Sequence, residues 1–320
     1  MGAFEIGYAL SSEEHDPRHL VRWAQRAEEA GFGFALVSDH YHPWIDQQGQ
    51  SPFVWCVIGA IAQATSTLRL GTGVTCPLLR LHPAIVAQAA ATAAVMMPER
   101  FFLGVGSGEN LNEHVIGEGW PEPDVRHEML EEAIEVLRLL WQGGEQSHRG
   151  MYFIVDQARL YTLPPDPPPL LVAAGSERAA TLAGLAGDGM IGTAPDAELV
   201  GAFARAGGRQ KPRYGQVTVC HAGSEAEARR IAHRWWPNTA LAGNLNWEVK
   251  TPGLFEHAVK HVREEDVAES ITCGPDPRRH AEAIQAYLDA GYDHVYVHQV
   301  GPDQEGFFRF YQERVLPEFG

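Results

Sequence analysis

Eight short apolar runs, most of them separated by an amphipathic stretch, span nearly the whole of this 320-residue chain. Each run has the length and composition of a buried strand, and the stretches between them follow a helical period. Eight strands, each followed by a helix, is the arrangement of a closed (β/α)8 TIM barrel, which commonly fills a chain of this length. We therefore predict an α/β fold of this kind, as a single domain over residues 1–320. The predicted strands are Phe4–Ala9, Phe32–Val37, Leu68–Val74, Phe101–Val105, Leu170–Ala174, Gly189–Thr193, Tyr214–Cys220 and His294–His298.

A doubly wound open sheet is the alternative architecture for such a chain. That fold usually has fewer strands and carries a glycine-rich phosphate fingerprint in its first turn. The turn after the first predicted strand, Gly7–Ser12, lacks this fingerprint. The pattern therefore favours the barrel.

The sequence also predicts where two helices begin and end. Asp16 is followed by a proline at the first helical position and Gly31 ends the pattern, so the first helix should cover Asp16–Ala30. A second helix is predicted over Asp124–Trp141, because its leucines fall on one face.

Three segments interrupt the barrel pattern, at residues 107–123, 145–169 and 237–266. Long insertions in a compact domain usually form lids, binding loops or interfaces. The second should contain a small hairpin around Met151–Val155, followed by a proline-rich return. For the third, which carries Trp247, Phe255 and His257, we favour a cap over the substrate.

Charge and cysteine content exclude several classes of function. A net charge of −16 argues against nucleic acid or an anionic membrane as partner, since both attract basic surfaces. The four scattered cysteines have no metal-binding or disulfide spacing. No apolar run is long enough to span a membrane, and the N-terminus does not resemble a signal peptide. We therefore expect a cytoplasmic protein with a small-molecule substrate and no metal.

Chemically useful side chains occur where the predicted strands end, the position at which barrel enzymes build their active sites. His40 and Trp44 follow the second strand, and Glu109 follows the glycine-rich end of the fourth. An imidazole titrates near neutral pH, which suits it to proton transfer. His40 and Glu109 could therefore form an acid/base pair, although the sequence does not decide which of them is the base.

The spacing of His40 and His42 also raises the possibility of a metal-dependent hydrolase. In barrel hydrolases this pair belongs at the end of the first strand, whereas here it follows the second. No carboxylate or lysine partner is evident, so we regard a metal site as the weaker interpretation.

A possible phosphate site lies at the start of a predicted helix. Gly175 and Ser176 end the fifth strand, and Arg178 adds a positive charge. Free N–H groups at a helix N-terminus favour a bound anion. Thr193 should emerge from the next strand at the same end of the barrel.

Together these motifs resemble the luciferase-like flavin and deazaflavin oxidoreductase superfamily, and more closely its F-420-dependent glucose-6-phosphate dehydrogenase branch. The resemblance runs nearly from end to end. The motifs that carry it, in order, are Ser38-Asp39-His40 with Trp44, Leu70–Val74 with Pro77, Phe102–Glu109 with Leu111-Asn112-Glu113, and Ala173-Ala174-Gly175 with Ala186–Gly189.

The resemblance implies a deazaflavin enzyme that transfers hydride between coenzyme F-420 and an alcohol or carbonyl carbon. His40 and Glu109 would be the proton-transfer pair, Trp44 would stabilise the reacting complex, and Glu13 and Thr193 would contact substrate. It also implies a homodimer, and a cis peptide bond between Gly73 and Val74. The residues expected to bind the cofactor are Asp39, Gly73, Val74, Cys76, Ser107, Gly108, Asn112, Gly175, Ser176, Arg178 and Ala179, with Cys76 standing where the family has threonine.

One departure from that branch concerns the substrate. Its sugar-phosphate enzymes hold the phosphate with lysines, one of them just after the position of Thr193, where this chain has Asp196 and Glu198. We therefore expect that glucose-6-phosphate is not the substrate, with a sugar-phosphate dehydrogenase as the alternative. An FMN-dependent monooxygenase and a catalytically silent barrel are the other interpretations. Retention of His40 and Glu109 argues against the silent barrel.

Overall fold

The computed structural model describes residues 4–319, and its central feature is a closed barrel of parallel strands. Its strands are β1 (Glu5–Leu10), β2 (Phe34–Val37), β3 (Arg69–Thr72), β4 (Phe101–Val105), β5 (Gln146–Arg149), β6 (Ile154–Ala158), β7 (Leu170–Ala173), β8 (Gly189–Gly192), β9 (Arg213–Cys220), β10 (Thr272–Cys273) and β11 (His294–Gln299). Around the barrel the order is β11, β1, β2, β3, β4, β7, β8 and β9, and β9 pairs again with β11. Each predicted strand overlaps one of these eight, so the predicted barrel is confirmed.

Helices connect most of the barrel strands and surround the barrel. Within the described residues they are α1 (Pro17–Ala30), α2 (Val54–Ala64), α3 (Pro83–Met96), α4 (Asn110–Glu113), α5 (Pro123–Trp141), α6 (Glu177–Ala186), α7 (Ala197–Phe203), α8 (Glu225–Trp235), α9 (Leu245–Glu248), α10 (Pro252–Ala258), α11 (Glu264–Ala268), α12 (Pro277–Asp289) and α13 (Gln304–Phe310). None of the helices in residues 4–319 has both the length and the apolar character needed to cross a membrane.

The predicted ends of α1 are confirmed and have a clear local cause. The Asp16 carboxylate accepts hydrogen bonds from the N–H groups of Arg18 and His19, which have no partner inside the helix. Gly31 ends the helix with a φ of 92°, a left-handed conformation that glycine adopts without steric cost. The second predicted helix is confirmed as α5.

Large side chains fill the barrel interior, and a cavity lies at its carboxyl end. The interior cluster consists of Ala9, Phe34, Leu36, Phe102, Leu171, Ile191, Tyr214 and Tyr296. Two glycines make room for its aromatic rings, because a Cβ atom at Gly7 would collide with Phe34, and one at Gly71 with Phe102. Functional groups are consequently confined to the ends of the strands.

The insertion at 145–169 forms the predicted hairpin, with β5 and β6 as its antiparallel strands. The Glu132 carboxylate on α5 accepts hydrogen bonds from the backbone N–H groups of Met151, Tyr152 and Phe153. The hairpin is thereby fixed to the outside of the barrel.

The insertion at 237–266 contains α9 and α10 and the start of α11. Phe255 is fully buried and packs edge-on against Trp44 at a centroid distance of 5.2 Å. Trp247 and His257, by contrast, are exposed. The segment thus contacts the Trp44 loop through Phe255, whereas the other two predicted contact residues lie on the surface.

Candidate active site

A cavity of about 170 Å³ lies at the carboxyl end of the barrel strands. It brings together six of the residues predicted from the sequence, namely Glu13, His40, Trp44, Gly73, Glu109 and Thr193. The remaining lining residues are Ala9, Leu10, Ser11, Leu36, Ser38, Gln216, Trp236, Tyr296 and His298. The structure therefore gathers both candidate acid/base groups in one place.

His40 and Glu13 form a buried acid–imidazole pair. Nδ1 of His40 lies 3.4 Å from Oε1 of Glu13, while the other carboxylate oxygen accepts hydrogen bonds from the hydroxyl groups of Ser38 and Ser11. Burial alone would raise the pKa of Glu13, but the His40 imidazole and these hydroxyl groups outweigh burial and lower it. Glu13 is consequently an anion at neutral pH and lies within ion-pair distance of one imidazole nitrogen, without a hydrogen bond between them.

Trp44 forms one wall of the cavity next to this pair. Its ring lies 5.3 Å from the His40 ring, and its backbone N–H donates to the side chain of Gln48. Contact with Phe255 on the opposite side fixes the indole. The Trp44 ring is thus held against the His40 imidazole.

Asn112 joins the two loops that carry the candidate acid/base residues. Its amide nitrogen donates to Oε2 of Glu109 at 3.2 Å, and its carbonyl oxygen accepts from the backbone N–H groups of Tyr41 and His42. The side chain therefore couples the position of Glu109 to the loop that contains His40. The sequence predicted Asn112 only as a cofactor contact, so this connecting role was missed.

A buried ionic cluster supports the same loops from behind. Arg80 donates to Asp39 at 2.9 Å, and the Arg80 backbone N–H donates to Glu113 at 2.8 Å. Asp39 also accepts from the hydroxyl group of Thr75. Burial raises the pKa of Glu113, since hydrogen bonding and attraction to Arg80 only partly offset the loss of hydration. Neither Arg80 nor this role of Glu113 was anticipated from the sequence.

Three of the predicted cofactor residues lie beneath the cavity surface. Asp39, Cys76 and Asn112 are 4%, 4% and 1% exposed, and the polar side chains of Asp39 and Asn112 already have protein partners. Burial raises the pKa of the Cys76 thiol well above its usual value, so the thiol is neutral. Cofactor contact remains a prediction for these residues.

The backbone at Gly73 and Val74 matches its prediction, because the peptide bond between them is cis. Gly73 lines the cavity, and Val74 packs toward the glycines at the end of β4. Gly108 has a φ of +76°, and a Cβ atom there would approach the Cys76 sulfur to 2.5 Å. Gly108 and the half-buried Ser107 therefore make a close backbone surface beside Glu109.

The start of α6 lies outside the cavity. Ser176 caps the helix by accepting from the N–H of Ala179, and a Cβ atom at Gly175 would meet nothing within 4 Å. Arg178 is 47% exposed at its side chain and pairs with Asp124 at 2.5 Å. The helix start is thus open, but its arginine faces α5 in this structure.

His42 does not join His40 in a metal site. Its Nδ1 lies 2.9 Å from the carbonyl oxygen of Leu111, and its ring stacks on His114. Among residues 4–319, no group of three or more histidine, cysteine or acidic side chains is placed to hold a metal ion.

Nine cavity residues were given no role in the predicted site, and four of these lie in the second half of the chain, namely Gln216, Trp236, Tyr296 and His298. His298 is the last residue but one of β11, so it lies near the strand ends at which barrel enzymes build their active sites. Trp236, by contrast, lies in a loop whose path the sequence does not reveal. In the described residues, the lining of the cavity includes no lysine or arginine.

Comparison with known proteins finds relatives that match nearly the whole chain. The family model for luciferase-like monooxygenases matches residues 3–294. An F-420-dependent hydroxymycolic acid dehydrogenase from Mycobacterium tuberculosis is 40% identical, over 98% of this chain and 88% of that protein. An F-420-dependent glucose-6-phosphate dehydrogenase from Nakamurella multipartita is 34% identical, over 98% of this chain and 95% of that protein.

Among solved structures, an F-420-dependent secondary alcohol dehydrogenase in complex with an F-420–acetone adduct superposes with a TM-score of 0.92. It is 29% identical to this chain, and the match covers 98% of both chains.

Proposed function

This chain belongs to the luciferase-like monooxygenase family, and we propose that within it the protein is an F-420-dependent alcohol dehydrogenase or carbonyl reductase. Relatives that cover almost the whole chain depend on F-420. The structural observation that carries the proposal is the meeting of the Glu13–His40 pair, Trp44 and Glu109 in one cavity. An FMN-dependent monooxygenase is the alternative on the same barrel.

The open parts of the site fit the shape and charge of F-420. Gly73, Val74, Ser107 and Gly108 would hold the flat ring, since they offer backbone and small side chains next to the cavity. The start of α6 at Gly175–Ala179 would hold the phosphate, because helix N-termini attract anions. When bound, the deazaflavin supplies a ring carbon in place of flavin N5, which makes it a two-electron hydride carrier.

Residues of this chain would handle the proton that accompanies the hydride. With Nδ1 of His40 directed at Glu13, Nε2 is the nitrogen that faces the substrate. In alcohol oxidation, Nε2 takes the hydroxyl proton, and the anionic Glu13 stabilises the resulting imidazolium. Glu109, oriented by Asn112, is the second proton-transfer group. Trp44 confines the substrate beside His40, so that the carbinol carbon is correctly oriented.

The cavity favours an alcohol that carries no phosphate. A buried phosphate needs cationic or amide donors, because its charge is costly to desolvate. Asp196 accepts from two N–H groups at the start of α7 instead of facing a cation. Lys250 and Lys260 are exposed on the insertion at 237–266, and Arg279 pairs with Glu225.

We therefore expect this enzyme to oxidise an unphosphorylated secondary alcohol and to use glucose-6-phosphate poorly. Initial rates of loss of F-420 absorbance, measured with isopropanol, propylene glycol and glucose-6-phosphate, would test this. A lower kcat/KM for glucose-6-phosphate than for both alcohols is the expected result. Efficient and saturable oxidation of glucose-6-phosphate would instead place the enzyme with the sugar-phosphate dehydrogenases.

We also propose that the protein forms a homodimer through α2 and α3. These helices border an apolar groove of about 300 Å³ whose lining includes Phe53, Trp55, Ile85 and Met96. Phe53 and Ile85 are 52% and 54% exposed, although large apolar patches are uncommon on monomers. A second copy related by a two-fold axis would present the same apolar helices to this face.

Substitution Ile85→Glu should convert the dimer to a monomer, because it places a charge on this apolar face. Light scattering on a sizing column should give about 70 kDa for the wild type, twice the 35.2 kDa of one chain. Leu185→Glu is the matched control, since Leu185 is 71% exposed on α6, away from the groove. A monomeric wild type would contradict the proposal.

A cytoplasmic location remains a prediction. Its support is that Cys56, Cys76, Cys220 and Cys273 are all unpaired, as is usual in a reducing compartment. Cell fractionation would test it.

A further inference from the structure

Two consecutive carboxylates after β1 turn in different directions. Glu13 pairs with His40, which follows β2, whereas Glu14 lies beside His298, which belongs to β11. Since β11, β1 and β2 are neighbours in the barrel, the cavity receives two acid–imidazole pairs from adjoining strands. The proposed reaction uses only the first of them.

Glu14 is fully engaged by groups around the second imidazole. Its carboxylate accepts from the indole N–H of Trp236 at 2.5 Å and from the backbone N–H of Gly301 at 2.8 Å. Oε1 of Glu14 lies 3.4 Å from Nε2 of His298. The Trp236 ring packs edge-on against the imidazole, with 4.6 Å between centroids. His298 is therefore held in position by a carboxylate and an indole.

The His298 imidazole lacks a hydrogen bond although it is buried. It is 3% exposed and lines the cavity, and Nε2 has no hydrogen-bond partner among the described residues. Because Nε2 lies beside Glu14, Nδ1 is the nitrogen left for the cavity, and no hydrogen bond to a described residue occupies it. Buried polar groups in proteins are normally paired, so a ligand in the cavity would supply the missing partner of Nδ1. The adjacent carboxylate favours a proton on Nε2, which leaves Nδ1 as a hydrogen-bond acceptor for that ligand.

We propose that His298, oriented by Glu14 and Trp236, binds a second hydroxyl group of the substrate while His40 serves the reacting one. The preferred substrates are then diols or polyols whose second hydroxyl lies close to the oxidised carbinol. This inference rests on the proposed function and names the substrate class of the same cavity. Glu14 acts through His298 and is a positioning residue.

Propylene glycol and isopropanol form a matched pair of probes, because both have a secondary carbinol and only the diol has a hydroxyl on the neighbouring carbon. The F-420-loaded wild type should show a higher kcat/KM for propylene glycol. His298→Asn and Glu14→Gln should each reduce the ratio of the two kcat/KM values by about tenfold, as expected for loss of one hydrogen bond to a buried group. His19→Asn is the control, since the His19 side chain is 54% exposed on α1, and it should keep the wild-type ratio.

A cofactor-free measurement separates this inference from the proposed function. Titration with propylene glycol should change the tryptophan fluorescence of the wild type in a saturable way, because Trp236 contacts His298, and His298→Asn should abolish the change. Thermal unfolding would show that the variant is folded. If the alcohols reduce F-420 but wild type and variants share one diol-to-monoalcohol ratio, the subsite is wrong and the proposed function stands. If no alcohol reduces F-420, the proposed function fails, and the fluorescence titration alone decides the subsite. A saturable response of the wild type that is lost in His298→Asn supports the subsite. No response of the wild type, or the same response in wild type and variant, overturns it.

Discussion

Replacing His40 by alanine should lower kcat by about 10²–10⁴-fold, the usual contribution of a positioned general acid or base. The variant would lose the group that takes the alcohol proton, and would leave the buried Glu13 anion without its imidazole partner. Steady-state rates of F-420 reduction, measured with the best available alcohol, give this number directly. F-420 affinity should change little, because the proposed cofactor contacts lie elsewhere.

Glu109→Gln should lower kcat in the same range while it preserves the hydrogen bond from Asn112, since glutamine keeps an acceptor oxygen. The substitution therefore removes proton transfer with little change of geometry. His19→Ala, at an exposed position on α1, should retain wild-type turnover. Near-normal turnover in either active-site variant, with F-420 binding intact, would show that the role assigned to that residue is wrong.

The parts of the fold with strong local signals were predictable from the sequence. The eight barrel strands are buried on both faces. Their sequences are therefore short, nearly continuous apolar runs, which identify them as strands. The limits of α1 follow from Asp16, Pro17 and Gly31, which act on their immediate neighbours. His40 and Glu109 could be located because they follow predicted strands, and a parallel barrel brings the carboxyl ends of all its strands to one side.

The partners of these residues were not predictable, because they depend on side-chain directions and on contacts distant in the chain. Nothing in the order Glu13-Glu14 indicates that one carboxylate serves His40 and the other His298, 284 positions further on. The same holds for the contact of Arg80 with Asp39 and Glu113, which only the folded barrel brings together. Arg178 shows the converse, since its sequence position suggested a phosphate and the structure pairs it with Asp124.

The second large effect that we expect is a difference in affinity between two cofactors, with F-420 bound at least tenfold more tightly than FMN. Both cofactors carry a phosphate, so the start of α6 at Gly175–Ala179 cannot distinguish them. Discrimination then comes from the parts in which the two cofactors differ, among them the ring, where F-420 has a hydroxyl group and FMN has methyl groups. A site built to hydrogen-bond a hydroxyl rejects an analogue that lacks it, because buried polar groups then remain unpaired. A tenfold ratio corresponds to about 1.4 kcal/mol.

Parallel titrations of the purified protein with F-420 and with FMN test the central claim most directly. Trp44 and Trp236 both line the cavity, so quenching of tryptophan fluorescence should report binding of either cofactor. The variant Trp44→Phe identifies how much of the signal comes from Trp44. The account predicts saturable quenching by F-420, with a dissociation constant at least tenfold below that for FMN. Equal or tighter binding of FMN would contradict the F-420 assignment and favour a flavin monooxygenase.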